Sequence, residues 1–296
     1  MPPIQLDDLS AQESGRALAT RRDGQPAGGL AEANGSWLRR IARLPLSLLP
    51  PTMVVPILAG KLRGQRWIVG SGLHRCWLGF YEFEMQRQIS REVRPTSVFW
   101  DIGANVGFYS LLASKLVGAG KVFAFEPAPR NVCYLKKHLA LNRVSNVEVL
   151  AIAVSDRNGV ASFAAEQTGF MGRLSGEGSL AVSTSTMDSL VAEGKVLPPD
   201  YVKMDIEGAE LLALREGRET FQRFHPVLFL ATHGQVIEKE CRRLLESWGY
   251  ECRSMMRTTN RELGELVAKF REQKQASGQA GGATANVFAK ARSGAR

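Results

Sequence analysis

Cysteine is scarce: the chain of 296 residues has four, Cys76, Cys133, Cys241 and Cys252, and no two form a C-x-x-C pair. That scatter excludes a zinc ribbon or a disulfide framework and points to a reducing cytoplasm. Long apolar runs are missing too. Leu44 to Ala59 is short and broken by Pro45, Pro50, Pro51 and Pro56, so it does not span a membrane. Arg21 and Arg22 have no apolar core behind them, which removes a twin-arginine export signal. There is no internal repeat. Aromatic residues make up 8% and nowhere interleave with a basic stripe, so the formal charge of +9 does not read as a nucleic-acid footprint. Part of that excess sits near the C-terminal end, in Lys290, Arg292 and Arg296. The basic surface leaves peripheral membrane contact open, with Trp37 to Arg43 (WLRRIAR) either an interfacial anchor or a packing arm.

What the chain does have is enough apolar content, 44%, for one large core. It also has one highly patterned region. From Val98 to Ser110 (VFWDIGANVGFYS) an apolar run ends in an acid, small residues follow at Gly103, Ala104 and Gly107, and a helical pattern begins. A second apolar run, Lys121 to Pro127 (KVFAFEP), ends in Glu126. Glycines let a backbone turn sharply and approach a ligand, and an acid roughly 20 residues on accepts hydrogen bonds from ribose hydroxyls. The spacing is not that of a dinucleotide site, because G-x-G-x-x-G is absent. Asn105 holds the middle of the loop, where it tolerates unusual φ but fills space that a pyrophosphate would need. The pattern fits S-adenosylmethionine better than NAD.

Helical and strand patterns then alternate. Phe108, Leu111, Leu112, Lys115 and Leu116 predict a helix ended by Gly118, and Pro129 opens another carrying Val132, Leu135 and Leu139, with Lys136, Lys137 and His138 on its polar side. Asn146 to Ser155 reads as a third strand, Tyr201 to Asp205 as a fourth and Pro226 to Thr232 as a fifth. The predicted fold class is α/β, a mostly parallel twisted sheet with helices on both faces.

Four blocks in order, Asp101–Ser110, Phe125–Asn131 (FEPAPRN), Ala153–Asp156 (AVSD) and Lys203–Glu210 (KMDIEGAE), resemble the FkbM family of S-adenosylmethionine-dependent methyltransferases. The likeness runs from about Leu62 to Tyr250, and Trp77 to Glu82 (WLGFYE) extends it ahead of the glycine loop. The resemblance implies a Rossmann-like class I methyltransferase domain over 96–256. Ahead of it 36–95 is expected as an arm packed on that core; by composition 1–35 reads as a disordered segment, and 257–296 as a C-terminal helix with a low-complexity tail. The resemblance further implies methyl transfer to a hydroxyl of a small-molecule or glycan acceptor. Gly103, Asn105 and Gly107 would cradle the methionine part of the cofactor, Asp101 would face its ammonium, and Glu126 would accept both ribose hydroxyls. Ser155, in the block after the third strand, would help to hold the adenine.

An alcohol is a poor nucleophile at neutral pH, so a base near the acceptor oxygen is expected. Asp205 ends the fourth strand and His233 the fifth; with the sheet order that the resemblance to methyltransferases implies, these ends are neighbours beside the cofactor and form the candidate catalytic pair. Many family members carry Glu-x-His in the last strand, whereas Ala231 stands here. Glu207 and Glu210 read as helix first-turn or surface charges; a divalent metal held by Asp205 and Glu207 would find no third ligand in the sequence, so none is expected. Trp77 and Tyr81 are either sugar-stacking surfaces or core. The loop from Gly169 to Gly178 either shapes the acceptor side or is a mobile connection. An NAD-dependent oxidoreductase and a non-catalytic cofactor-binding scaffold are the alternative readings.

Overall fold

The central parallel strands of this chain, 98–102 and 201–204, are buried on both faces. Phe99, Trp100, Asp101 and Ile102 have no more than trace exposure, as do Val202 and Met204. Continuous burial of that kind needs helices above and below the sheet. The computed structural model describes residues 48–165, 172–174, 178, 180–255 and 263–271. The segment 1–35, the Trp37–Arg43 stretch, the low-complexity tail and most of the Gly169–Gly178 loop lie outside those residues.

A hairpin of β1 (Val54–Pro56) and β2 (Arg66–Ile68) leads into α1 (His74–Leu78) and α2 (Phe83–Glu92). Alternation follows in β3 (Val98–Ile102), α3 (Phe108–Val117), β4 (Lys121–Phe125), α4 (Pro129–Leu141) and β5 (Val147–Leu150). The strands β6 (Ala153–Val154), β7 (Gly159–Ala165), β8 (Gly172–Leu174) and β9 (Leu180–Ser185) make a separate small sheet. The chain returns through α5 (Met187–Ala192) to β10 (Tyr201–Met204), α6 (Glu210–Arg215), α7 (Arg218–Phe224), β11 (Val227–His233) and α8 (Gln235–Ser247). It closes on β12 (Tyr250–Ser254) and β13 (Leu263–Phe270).

The main sheet has seven strands in the order β12-β13-β11-β10-β3-β4-β5. Strands β11, β10, β3, β4 and β5 are parallel, and β13 runs antiparallel between β11 and β12. Winding proceeds from β3 outward through β4 to β5, then restarts at β10 on the other side of β3. The direction therefore switches between β3 and β10, and a crevice opens at their carboxyl ends. On one face Trp100, Ile102, Phe125, Met204 and Leu230 pack with Phe221 and Leu245. Each such side chain contributes about 1.5–3 kcal/mol by leaving water.

Three expectations change. The strand foreseen over 146–155 divides: β5 stays in the main sheet, and β6 turns away to pair with β9. Residues 263–270, foreseen within a C-terminal helix, form β13, because Leu266, Val267 and Ala268 fill the gap between β11 and β12 and are buried there. The boundary drawn at 256 thus cuts through a hairpin. His138 leaves the polar side of its helix. It is fully buried, stacked on Trp67 at 3.9 Å, with Nδ1 2.7 Å from the Val106 carbonyl and Nε2 accepting from the Ile68 amide at 3.1 Å. That ring ties the β1–β2 hairpin to the core, and the described residues from Pro50 onward form one compact unit. Among the described residues no helix is long and apolar enough to cross a membrane.

Candidate active site

The turn from β3 into α3 is forced by backbone conformation. Gly103, Asn105 and Gly107 have φ of 80°, 50° and 94°, and only glycine, with asparagine at some cost, adopts that region readily. At Gly103 space is decisive as well, since a Cβ there would lie 1.9 Å from the carbonyl oxygen of Asp205. The glycine loop and the end of β10 are thereby pressed together. Glu126, at the end of β4, accepts from the amide of Asn105 at 2.8 Å through Oε2 and from the amide of Ala128 at 2.9 Å through Oε1. Asn131 Nδ2 adds a longer contact of 3.4 Å to Oε1. Burial raises the Glu126 pKa, and these hydrogen bonds partly offset the rise.

A cavity of about 310 Å³ lies over these elements. Gly103, Asn105, Glu126 and Asp205 line it, together with Tyr81, Tyr109 and Lys203. Asp101, Gly107, Ser155 and His233 are not brought to its wall. Asp101 is fully buried behind it, accepting from Ser110 Oγ at 2.6 Å, because its side chain points toward α3. Ser155 is buried and hydrogen-bonded to Asp156 at 3.1 Å. Gly107 serves packing, where a Cβ would meet Leu135 at 2.4 Å. Of the two aromatics in doubt, Tyr81 lines the cavity, and Trp77 is buried with its indole N–H donating to His74.

Lys203 is the residue to which sequence reasoning assigned no role. It is 3% exposed, its Nζ is 3.2 Å from Asp205 Oδ2, and it lies 4.8 Å from the centre of the Tyr109 ring. Burial would lower its pKa, but the charges of Asp205, Asp101 and Glu82 outweigh that and raise it. A lysine in a buried strand next to an acid is the signal that was available. The Tyr109 hydroxyl donates to Glu82 at 2.7 Å, so this end of the cavity combines aromatic faces with fixed polar groups.

Beyond Asp205 the chain makes a tight turn with Glu207 at φ 54° and Gly208 at φ 100°. Glu210, read from sequence as a surface or first-turn charge, is instead fully buried. Its Oε1 accepts from the amides of Ile206 and Gly208 at 3.3 and 3.0 Å and lies 3.1 Å from His233 Nδ1. His233 Nε2 is 3.1 Å from Glu207 and 3.8 Å from Asp205, so the expected Asp205–His233 pair is adjacent but not directly hydrogen-bonded. Burial would lower the His233 pKa, but the Glu210 hydrogen bond and the charges of Asp205, Glu207 and Glu210 raise it to about 9. One ligand atom each from Asp205, Glu210 and His233 falls within 4.8 Å of the others. The sequence reading found no such set, because burial of Glu210 is a tertiary outcome.

The family model described as the methyltransferase FkbM domain matches residues 101–252. Hexuronic acid methyltransferase AglP of Haloferax volcanii is 31% identical over 55% of this chain and 67% of its own length. The 2-O-methyltransferase NoeI of Sinorhizobium fredii is 26% identical over 47% of this chain and 65% of its own. Among solved structures, methyltransferase FkbM from Methylobacillus flagellatus superposes with a TM-score of 0.44 at 17% identity, covering 79% of this chain and 60% of that one. A family match across the glycine loop, Glu126 and the Asp205 turn leaves no room for a dinucleotide-dependent oxidoreductase: this chain belongs to the FkbM family of S-adenosylmethionine-dependent methyltransferases.

Proposed function

We propose that the chain methylates a hydroxyl oxygen of a sugar-like acceptor, with the cofactor held over the glycine loop and the acceptor at the Asp205 end. The observation that carries this is the contact between Gly103 and the Asp205 carbonyl, which puts cofactor loop and acid on one cavity. The residues present suit the cofactor. The left-handed loop offers backbone to its methionine part, and a ribose hydroxyl would share Glu126 Oε2 with the Asn105 amide. Asp101 acts from behind the wall, through Ser110 and the charge of Lys203. Bound S-adenosylmethionine would supply an electrophilic methyl carbon on its sulfonium, with the neutral thioether as leaving group.

The chain's own task is to hold the acceptor in line and receive its proton. Lys203 pins one oxygen of Asp205, leaving the other to accept from the hydroxyl. His233 is the positioning residue beside it. Tyr81 and Phe108, whose rings meet edge-on at 5.2 Å, offer an aromatic wall for a sugar face. Relatives named for acting on a hexuronic acid and as a 2-O-methyltransferase support a carbohydrate hydroxyl as acceptor. The free thiols of all four cysteines accord with work in the cytoplasm.

Calorimetry with S-adenosylmethionine, on the wild type and Glu126→Ala and with NADH as control ligand, tests the reading. Binding of the first ligand, lost in the variant, sustains it and leads to an acceptor screen with labelled methyl groups. Binding of NADH instead overturns it.

A further inference from the structure

We propose that Asp205, Glu210 and His233 form a binding site for a divalent transition-metal cation, of the manganese or zinc kind, at the acceptor end of the cavity. The inference rests on the reading of that end as the acceptor side. Three features carry it. First, the three side chains come from the end of β10, the start of α6 and the end of β11, and their nearest ligand atoms already lie within 4.8 Å of one another. Metal–ligand bonds of about 2.0–2.2 Å would draw those atoms together by roughly an ångström, a movement within reach of rotation of the Asp205 side chain toward a fixed Glu210.

Second, Glu210 Oε2 is buried and has no hydrogen-bond partner, although the side chain it belongs to is 0% exposed. A buried carboxylate oxygen left unpaired costs free energy, and a cation is the partner that satisfies it most fully. The other oxygen is fully committed to two amides and to His233 Nδ1, so Glu210 is held rigidly and does not swing to find another donor.

Third, the charge is unbalanced. Asp205, Glu207 and Glu210 all face the one imidazole of His233, and Lys203 is engaged with Asp205 from the opposite side. Two carboxylates with an imidazole are a mixed oxygen and nitrogen donor set, which suits manganese, iron or zinc better than calcium. Of the three only Asp205 lines the cavity, so the open side of a cation here would be the one next to Asp205.

Such a cation would bind the acceptor hydroxyl oxygen and make its proton easier to lose. With a cation in place Asp205 would be its ligand instead of the base, and as the acceptor O–H bond broke its electron pair would stay on oxygen and its proton would leave to solvent water.

The test uses the full chain stripped with chelator and titrated with Mn²⁺, followed by loss of the free-ion paramagnetic resonance signal. One equivalent of Mn²⁺ should bind to the wild type. Asp205→Asn and His233→Ala should each weaken binding by about tenfold or more, and Glu210→Gln likewise if it folds. Glu126→Ala, at the other end of the cavity, should bind Mn²⁺ as the wild type does. Thermal melting and S-adenosylmethionine binding are recorded for every variant. Failure to saturate with Mn²⁺, or unchanged affinity in folded Asp205→Asn and His233→Ala, overturns the metal site. If S-adenosylmethionine still binds in that case, the methyltransferase reading stands and the metal alone is lost.

Discussion

Acidification should loosen this protein through one histidine. His138 is fully buried, flat against Trp67, and its two ring nitrogens are used by the Val106 carbonyl and the Ile68 amide. Nδ1 must carry the proton and Nε2 must be bare, so the ring fits only when neutral. Burial lowers its pKa from 6.5 to about 4, with the Val106 hydrogen bond opposing weakly. The folded state therefore takes up fewer protons than the unfolded one between those two values. Stability from this group is fully present above 6.5, falls as pH drops through the window, and is lost below about 4. The whole effect is about 3 kcal/mol, and the part lost between pH 7.5 and 5 is about 2 kcal/mol. Against a typical total of about 5–15 kcal/mol that is readily measured. Urea unfolding of wild type and His138→Gln across that range isolates the term, because every other titrating group is common to both. The variant will be less stable at neutral pH, having lost the Trp67 stack. Its stability should nonetheless fall by about 2 kcal/mol less than the wild type's on acidification. Parallel curves for the two proteins would refute the reasoning.

Gly103→Ala should destabilise the fold by about 1–3 kcal/mol and weaken S-adenosylmethionine binding. A Cβ there strikes the Asp205 carbonyl at 1.9 Å and the residue sits at φ 80°. Urea melts and calorimetry check both effects, and an unchanged melt would mean that the loop and β10 are not in contact. Asp205→Asn should cut turnover by about 10²–10⁴-fold while S-adenosylmethionine affinity changes little, and His233→Ala should lower turnover in the same sense. Labelled methyl transfer reads both, and wild-type rates with intact cofactor binding would remove the pair from the chemistry.

The α/β alternation was legible because β3, β4, β10 and β11 are short apolar runs with an acid or histidine at or beside their ends, and α3, α4 and α8 show their period in leucines and valines. The glycine loop was legible for the same kind of reason. A backbone that must go left-handed at Gly103, Asn105 and Gly107 advertises itself in residue types. Glu126 followed from spacing along one βαβ unit. These are local constraints, and the sequence alone determined them, together with the family and the cofactor.

Tertiary structure decided whatever depends on elements distant in sequence. Strand β13 looked like part of a tail, because its eight residues become a strand only where β11 and β12 leave a gap. His138 looked polar until Trp67, far upstream, covered it. Asp101 reads as a ligand-facing acid, yet whether a strand-end side chain points into a cavity or back toward a helix depends on packing, and here Ser110 holds it back. Glu210 is the sharpest case. Its position at a helix start suggests an exposed charge, but the turn at Glu207 and Gly208 folds it inward beneath His233. The convergence of Asp205, Glu210 and His233 depends on β10 and β11 being neighbours in the sheet, and no local pattern encodes that adjacency.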